Sequence, residues 1–123
     1  METTKLLLKY VIIDDDEIDR AVVETEAAKF SFLQKIASCA NPLEAIEIIT
    51  QFNPDIIFLD IEMPDFSGID LLRKKITNTA LPVFITSHPE FALEGFEVEA
   101  FDYLLKPLSS GRFATCALRR RDF

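Results

Sequence analysis

Short apolar runs alternate with segments of helical period along the whole chain. Residues 6–13 form the first run, which stops abruptly at Asp14-Asp15-Asp16 and predicts a strand. A helix follows over 17–30, with the aspartates as N-cap candidates and acidic residues in its first turn. The stretch 32–40 is a more polar strand, suited to a sheet edge. Asn41-Pro42 is a helix start, Asn capping and Pro at the first helical position. Ile46, Ile49 and Phe52 repeat at helical spacing until Asn53-Pro54 breaks the pattern. The run 55–60 is a strand so apolar that it reads as buried on both faces, and it ends in Asp60. Ser67-Gly68 opens a helix marked by Ile69, Leu72 and Ile76. Residues 81–86 form a fourth strand, and His88-Pro89-Glu90 leads into a short helix from 91 to about 96. A fifth strand over 100–105 is closed by Lys106-Pro107. Ser109 or Ser110 caps a last helix carrying Phe113, Cys116, Ala117 and Arg120 on one face. Five strands alternating with five helices predict an α/β fold around a parallel sheet, with right-handed crossovers placing helices on both faces.

Length and composition narrow the function classes. The 123 residues suit one domain, and with 49% apolar residues the chain is set to bury a core without staples. A formal net charge of −8 leaves no basic stripe to neutralise phosphates, which argues against a nucleic-acid surface. Cys39 and Cys116 sit in apolar contexts and read as buried thiols of a reducing cytosol. No signal peptide is visible at the N-terminus, and no segment approaches the roughly 20 apolar residues of a membrane span. The expected location is cytoplasmic.

The chemistry gathers at strand ends. Asp14, Asp15 and Asp16 follow the first strand, Asp60 ends the third, Thr86 and Ser87 end the fourth, and Lys106 follows the fifth. In a parallel α/β sheet all of these lie at one edge, the edge where sites form. Carboxylates a few ångströms apart repel and call for a compensating cation. Mg²⁺, or Mn²⁺, suits one or two carboxylates plus waters, and a lysine adds a point charge. A carboxylate beside such an ion, a lysine and a hydroxyl is equipped for phosphoryl transfer, and aspartate is a competent nucleophile. Singly each feature has an ordinary reading as cap, turn or loop residue. Four in order, each ending a separate strand, are far more specific.

The segments Ile12-Ile-Asp-Asp-Asp-Glu17, Leu59-Asp-Ile-Glu-Met-Pro-Asp-Phe-Ser-Gly68, Phe84-Ile-Thr-Ser87 and Asp102-Tyr-Leu-Leu-Lys-Pro107 carry a resemblance. Over nearly its whole length the chain resembles a CheY-like response-regulator receiver domain of two-component signalling. The stretch from Phe91 to Pro107 further resembles receivers that precede LytTR-type DNA-binding domains. The resemblance implies a flavodoxin-like (βα)5 doubly wound sheet in the order 2-1-3-4-5, and a single receiver domain over 1–123. It implies that Asp60 accepts a phosphoryl group from a histidine kinase or phosphotransfer protein. The implied metal ligands are Asp60, the backbone carbonyl of Glu62 and an acidic pair, either Asp14 and Asp15 or, in the other register, Asp15 and Asp16. Thr86 and Lys106 match the phosphoryl-contacting hydroxyl and lysine, and Tyr103 the aromatic that follows Thr86. Glu62 and His88 match positions that tune hydrolysis, each with an alternative reading as a solvated loop residue. The Lys106-Pro107 bond is a candidate cis peptide.

The implied mechanism is a population shift, read out on the fourth helix, fifth strand and fifth helix, a surface through which such domains dimerise. Gly111 weakens the last helix of that surface. Arg119-Arg120-Arg121 reads as cations at a helix C-terminus, or as the start of a linker. No output domain follows in this chain, so DNA would be reached only indirectly; the LytTR-like features favour a receiver cut from a longer protein. The expected role is not enzymatic beyond the domain's own phosphotransfer and dephosphorylation. Three alternatives compete with it. A phosphorylation-independent binding module does not need the intact Asp60, Thr86 and Lys106. A haloacid-dehalogenase-type phosphatase needs a second Asp where Glu62 stands, a cap and more length. A flavin carrier needs a phosphate-cradling loop where three aspartates would repel phosphate.

Overall fold

The computed structural model describes residues 6–63, 66–69, 80–92 and 99–123. Five parallel strands form the central sheet: β1 (Leu8–Ile13), β2 (Leu33–Cys39), β3 (Ile56–Leu59), β6 (Leu81–Thr86) and β7 (Asp102–Leu105). Their spatial order is β2-β1-β3-β6-β7, the 2-1-3-4-5 order of a flavodoxin-like fold. Between β3 and β6 a two-stranded hairpin, β4 (Glu62–Met63) and β5 (Phe66–Ser67), pairs antiparallel. The polar strand β2 lies at one edge, and its ladder with β1 shifts register between Tyr10 and Val11.

Successive strand residues point to opposite faces, and both faces are covered. On one face Tyr10, Ile12, Ile56, Phe58, Val83, Ile85 and Leu104 pack against α1 (Glu17–Ala27) and the C-terminal helix (Ser110–Arg121). Phe58 is the hub there, 5.6 Å from the ring of Tyr10 and 5.4 Å from that of Phe113. On the other face Val11, Ile13, Ile57, Leu59 and Phe84 pack with Ala45 and Ile49 of α2 (Pro42–Phe52) and with Ile61, Met63 and Ile69. Burial on both sides is why the strand sequences are runs rather than alternations.

Several boundaries and one face differ from expectation. β1 starts at Leu8 because Leu6 and Leu7 are exposed and precede the ladder. β3 lacks Asp55, whose carboxylate accepts the Lys9 amide at 2.8 Å. α1 stops at Ala27, and the amides of Lys29 and Phe30 turn back onto the carbonyls of Glu26 and Ala27. In α2 the buried stripe is Pro42, Ala45 and Ile49, not Ile46, Ile49 and Phe52. Phe52 is 49% exposed, as the last residue of the helix before the left-handed cap at Asn53 (φ 45°). Leu72 and Ile76, and most of the short helix expected after 91, lie outside the described residues; Gly68 and Ile69 are helical. Among the described residues no helix is long and apolar enough to cross a membrane.

The C-terminal helix is capped by Ser109, whose hydroxyl accepts the Arg112 amide at 3.1 Å. Phe113, Cys116 and Ala117 are buried, while Arg120 is only half-buried. Gly111 has open space around it. Two polar contacts fasten this helix. Ser110 donates to Glu26 of α1 at 2.8 Å, and Lys29 binds the same carboxylate at 2.9 Å. Arg112 grips buried Asp102 at 2.5 and 3.1 Å, with Arg119 at 3.6 Å. Burial alone would raise the Asp102 pKa, but the Arg112 hydrogen bonds, backed by the Tyr103 amide, hold it below the ordinary carboxylate range.

A depressed native pKa stabilises the fold above the unfolded value of about 4 and is lost as pH falls through the native value. Asp102→Asn is therefore expected to cost about 2–3 kcal/mol at neutral pH, because breaking a buried pair leaves partners unsatisfied. The gap from wild type narrows below about pH 4. Urea unfolding across pH checks both the size and the sign.

Candidate functional site

The carboxyl ends of the strands deliver the site. Beyond β1 the Asp14 amide donates to the Cys39 carbonyl at 3.0 Å, and beyond β3 the Asp60 amide donates to the Ile13 carbonyl at 3.0 Å. Both ladders thus run one residue past the strands and fix each aspartate at the sheet edge. Asp14 and Asp60 are buried, and Asp15 beside them is exposed. One oxygen from each of the three lies within 4.8 Å of the others.

Asp16 does a different job. Its carboxylate caps α1, accepting the amides of Ile18 at 2.8 Å and Asp19 at 3.0 Å. Its own amide donates to Asp14 Oδ1 at 2.9 Å. Arg20, one turn into the helix, donates to the Asp14 carbonyl at 2.7 Å. The structure therefore brings Asp14 and Asp15, rather than Asp16, into the cluster with Asp60.

Lys106 follows β7, and its amide donates to the Thr86 carbonyl at 2.9 Å. Its ammonium donates to Asp14 at 2.8 Å, Asp60 Oδ2 at 2.9 Å and Asp19 Oδ2 at 2.8 Å. Burial pulls the lysine pKa down, but hydrogen bonds to the three aspartates outweigh it and hold the group above its ordinary value. For Asp14 the balance tips the other way: burial raises its pKa, and a share of one ammonium does not offset that. Asp60 Oδ1 is buried and has no hydrogen-bond partner. An orphaned carboxylate oxygen on a residue clustered with two further carboxylates makes a hard, oxygen-only donor set, which fits a divalent cation.

Thr86 is fully buried at the end of β6, and its hydroxyl accepts the His88 amide at 3.4 Å. His88 lies between two glutamates, with Nε2 at 3.1 Å from Glu62 and Nδ1 at 3.1 Å from Glu90. The Glu62 side chain is thereby engaged at the mouth of the site. Tyr103 is half-buried against Phe84, ring centroids 6.0 Å apart, and its hydroxyl donates to the His88 carbonyl. The Lys106–Pro107 peptide bond is cis. Neither thiol belongs to the site: burial pushes Cys39 up to about 11 and Cys116 up to about 12, so both are poor nucleophiles.

Sequence reasoning missed Asp19. It stands three residues after the cap Asp16, where an acidic side chain ordinarily reaches back to the cap's own amide. Here it reaches Lys106 instead, and only the fold brings the end of β7 within its range.

Comparison with known proteins follows the geometry. The response regulator receiver domain family matches residues 10–117. The chain is 37% identical over 115 residues to an uncharacterized response regulatory protein of Yersinia pestis, covering 92% of this chain and 48% of that protein. It is 33% identical over 117 residues to the transcriptional regulatory protein BtsR of Escherichia coli, covering 94% of this chain and 49% of BtsR. The chain thus spans about half the length of the curated relatives it matches. Among solved structures, the response regulatory domain of mrkE from Klebsiella pneumoniae superposes with a TM-score of 0.86 at 28% identity, covering 94% of this chain and 96% of that one.

Gly68 supports the site from behind. Its amide donates to the Ile61 carbonyl at 2.6 Å, and a Cβ built on it would meet the Asp60 carbonyl oxygen at 2.2 Å. The obstacle is backbone, so the Asp60 main chain would have to move. Gly68→Ala is expected to destabilise the fold by about 1–3 kcal/mol, the usual cost of overpacking. Thermal unfolding reads this, and an unchanged midpoint would show that the contact relaxes freely.

Proposed function

Since the chain belongs to the response regulator receiver domain family, we propose that it is a phosphorylatable signalling switch with Asp60 as phosphoacceptor. The observation that carries this reading is the state of the Asp60 carboxylate. One oxygen is tied to Lys106 at 2.9 Å, the other is buried without a partner, and the residue clusters with Asp14 and Asp15. The Asp60 carboxylate is the nucleophile. The donor is a phosphohistidine of a sensor histidine kinase or phosphotransfer protein. A bond forms from Asp60 to phosphorus as the phosphorus–nitrogen bond breaks, its electron pair remaining on the imidazole.

Mg²⁺, or Mn²⁺, would be held by Asp14, Asp15, Asp60 and the main-chain carbonyl of Glu62, and supplies neutralisation of the phosphoryl oxygens. Lys106 adds a point charge to the same oxygens, and the Thr86 hydroxyl donates to one of them. When Thr86 turns inward its contact with the His88 amide is given up, and Tyr103, bonded to the His88 carbonyl, follows. Glu62 and His88, paired at the mouth, set how readily water reaches the acyl phosphate.

The new charge favours one of two arrangements of the surface formed by the fourth helix, β7 and the C-terminal helix. Most of the fourth helix lies outside the described residues. We assign that surface to homodimerisation and to control of an output domain in a longer cytoplasmic protein. A transcriptional output of LytTR type fits a relative named a transcriptional regulatory protein. DNA is then contacted only through the output domain, and the receiver catalyses nothing beyond its own phosphotransfer and hydrolysis.

Intact-protein mass spectrometry after incubation with acetyl phosphate tests the reading. Wild type is expected to gain one phosphoryl group in the presence of Mg²⁺ and none with a chelator, and Asp60→Asn none in either. A folded wild type that takes up no phosphoryl group would overturn the proposal in favour of a phosphorylation-independent binding module.

A further inference from the structure

Lys106 has three N–H donors, and three carboxylates occupy them. Two of these acceptors, Asp14 and Asp60, belong to the reaction centre and sit on strand ends, their side chains 7% and 11% exposed. The third, Asp19, comes from α1 and is 37% exposed. From this arrangement we infer that Asp19 is a positioning residue that holds Lys106 in the resting state and so restrains acquisition of the phosphoryl group. The inference rests on the phosphoacceptor reading of Asp60.

Charge and room both support it. Asp14, Asp15, Asp19 and Asp60 set four carboxylates against the Lys106 ammonium and the Arg20 guanidinium. An anionic phosphoryl donor must approach that excess. Asp19 worsens the approach twice, by its own field and by occupying the third N–H that would otherwise turn to a phosphoryl oxygen. Among the three partners it is also the one water can best compensate on release. Beside the pair lies a cavity of about 170 Å³ walled by Val22, Val23, Ile85, Pro107 and Leu108. Asp19 stands at the rim of that space and, being 37% exposed, can turn off the lysine toward water without repacking the core. Among the described residues no buried group depends on the Asp19 carboxylate for its only partner, since Lys106 keeps Asp14 and Asp60 when Asp19 leaves.

In the reaction with acetyl phosphate, a bond forms from Asp60 to phosphorus and acetate departs with the electron pair of the broken phosphorus–oxygen bond. Rates measured against acetyl phosphate concentration, with Mg²⁺ present, separate donor binding from the chemical step. For Asp19→Asn the half-saturating concentration is expected to fall about threefold to tenfold, with the limiting rate within about twofold of wild type. Asp19→Glu, which keeps the charge, is expected to stay near wild type. The gain of Asp19→Asn shrinks at high salt, because the screening length drops from about 10 Å at 0.1 M to about 3 Å at 1 M. Unfolding midpoints of both variants stay close to wild type, as the side chain is partly exposed.

Equal half-saturation in wild type and Asp19→Asn would overturn the inference while leaving Asp60 as phosphoacceptor. So would an Asp19→Glu protein that behaves like Asp19→Asn, since charge would then not be the cause. Failure of wild type to form any adduct would remove the phosphoacceptor reading, and this inference with it.

Discussion

Three carboxylates converging on one ammonium is the constraint around which this domain is organised. Lys106 reaches Asp14, Asp60 and Asp19 at 2.8–2.9 Å, and it links four places along the chain: the end of β1, the start of α1, the end of β3 and the end of β7. Removing charge from water costs several kcal/mol per ion, which ion pairing only partly returns. Asp14 displays that shortfall in its raised pKa, and Asp60 displays it as a buried oxygen with nothing bound to it. The edge is therefore stable enough to fold and electrostatically incomplete, a combination suited to accepting further ligands.

Such an edge needs a rigid platform. The sheet supplies one by burying both faces, with the rings of Tyr10, Phe58 and Phe113 filling one side and Val11, Ile13, Leu59 and Phe84 the other. Because the amides of Asp14 and Asp60 continue the hydrogen-bond ladders, the carboxylates inherit the stiffness of the core rather than the freedom of a loop. The close approach of Gly68 to the Asp60 carbonyl fixes the same aspartate from the opposite direction.

Much of this was legible in the sequence, for identifiable reasons. Strands buried on both faces leave uninterrupted apolar runs, so their number and order could be read, and a carboxylate or lysine ending such a run falls necessarily at the functional edge. What was not legible depends on where an element stops or how it is rolled. The stripe on α2 departs from its spacing because Phe52 is the last residue of the helix and stays exposed. The register of the acidic run stayed open until the cap of α1 claimed Asp16. Asp19 gave no signal, since its partner is 87 residues away in sequence and local spacing suggests a different contact.

β7 is four residues long, about 13 Å at the usual rise. At one end Asp102 is clamped by Arg112 and Arg119, and just past the other Lys106 is clamped by three aspartates. A rod pinned at both ends transmits displacement instead of absorbing it. Any travel imposed on the lysine has to be taken up by sliding against β6 or by carrying the C-terminal helix along. The guanidinium clamp at Asp102 thereby couples the lysine at one end of the strand to the helix at the other.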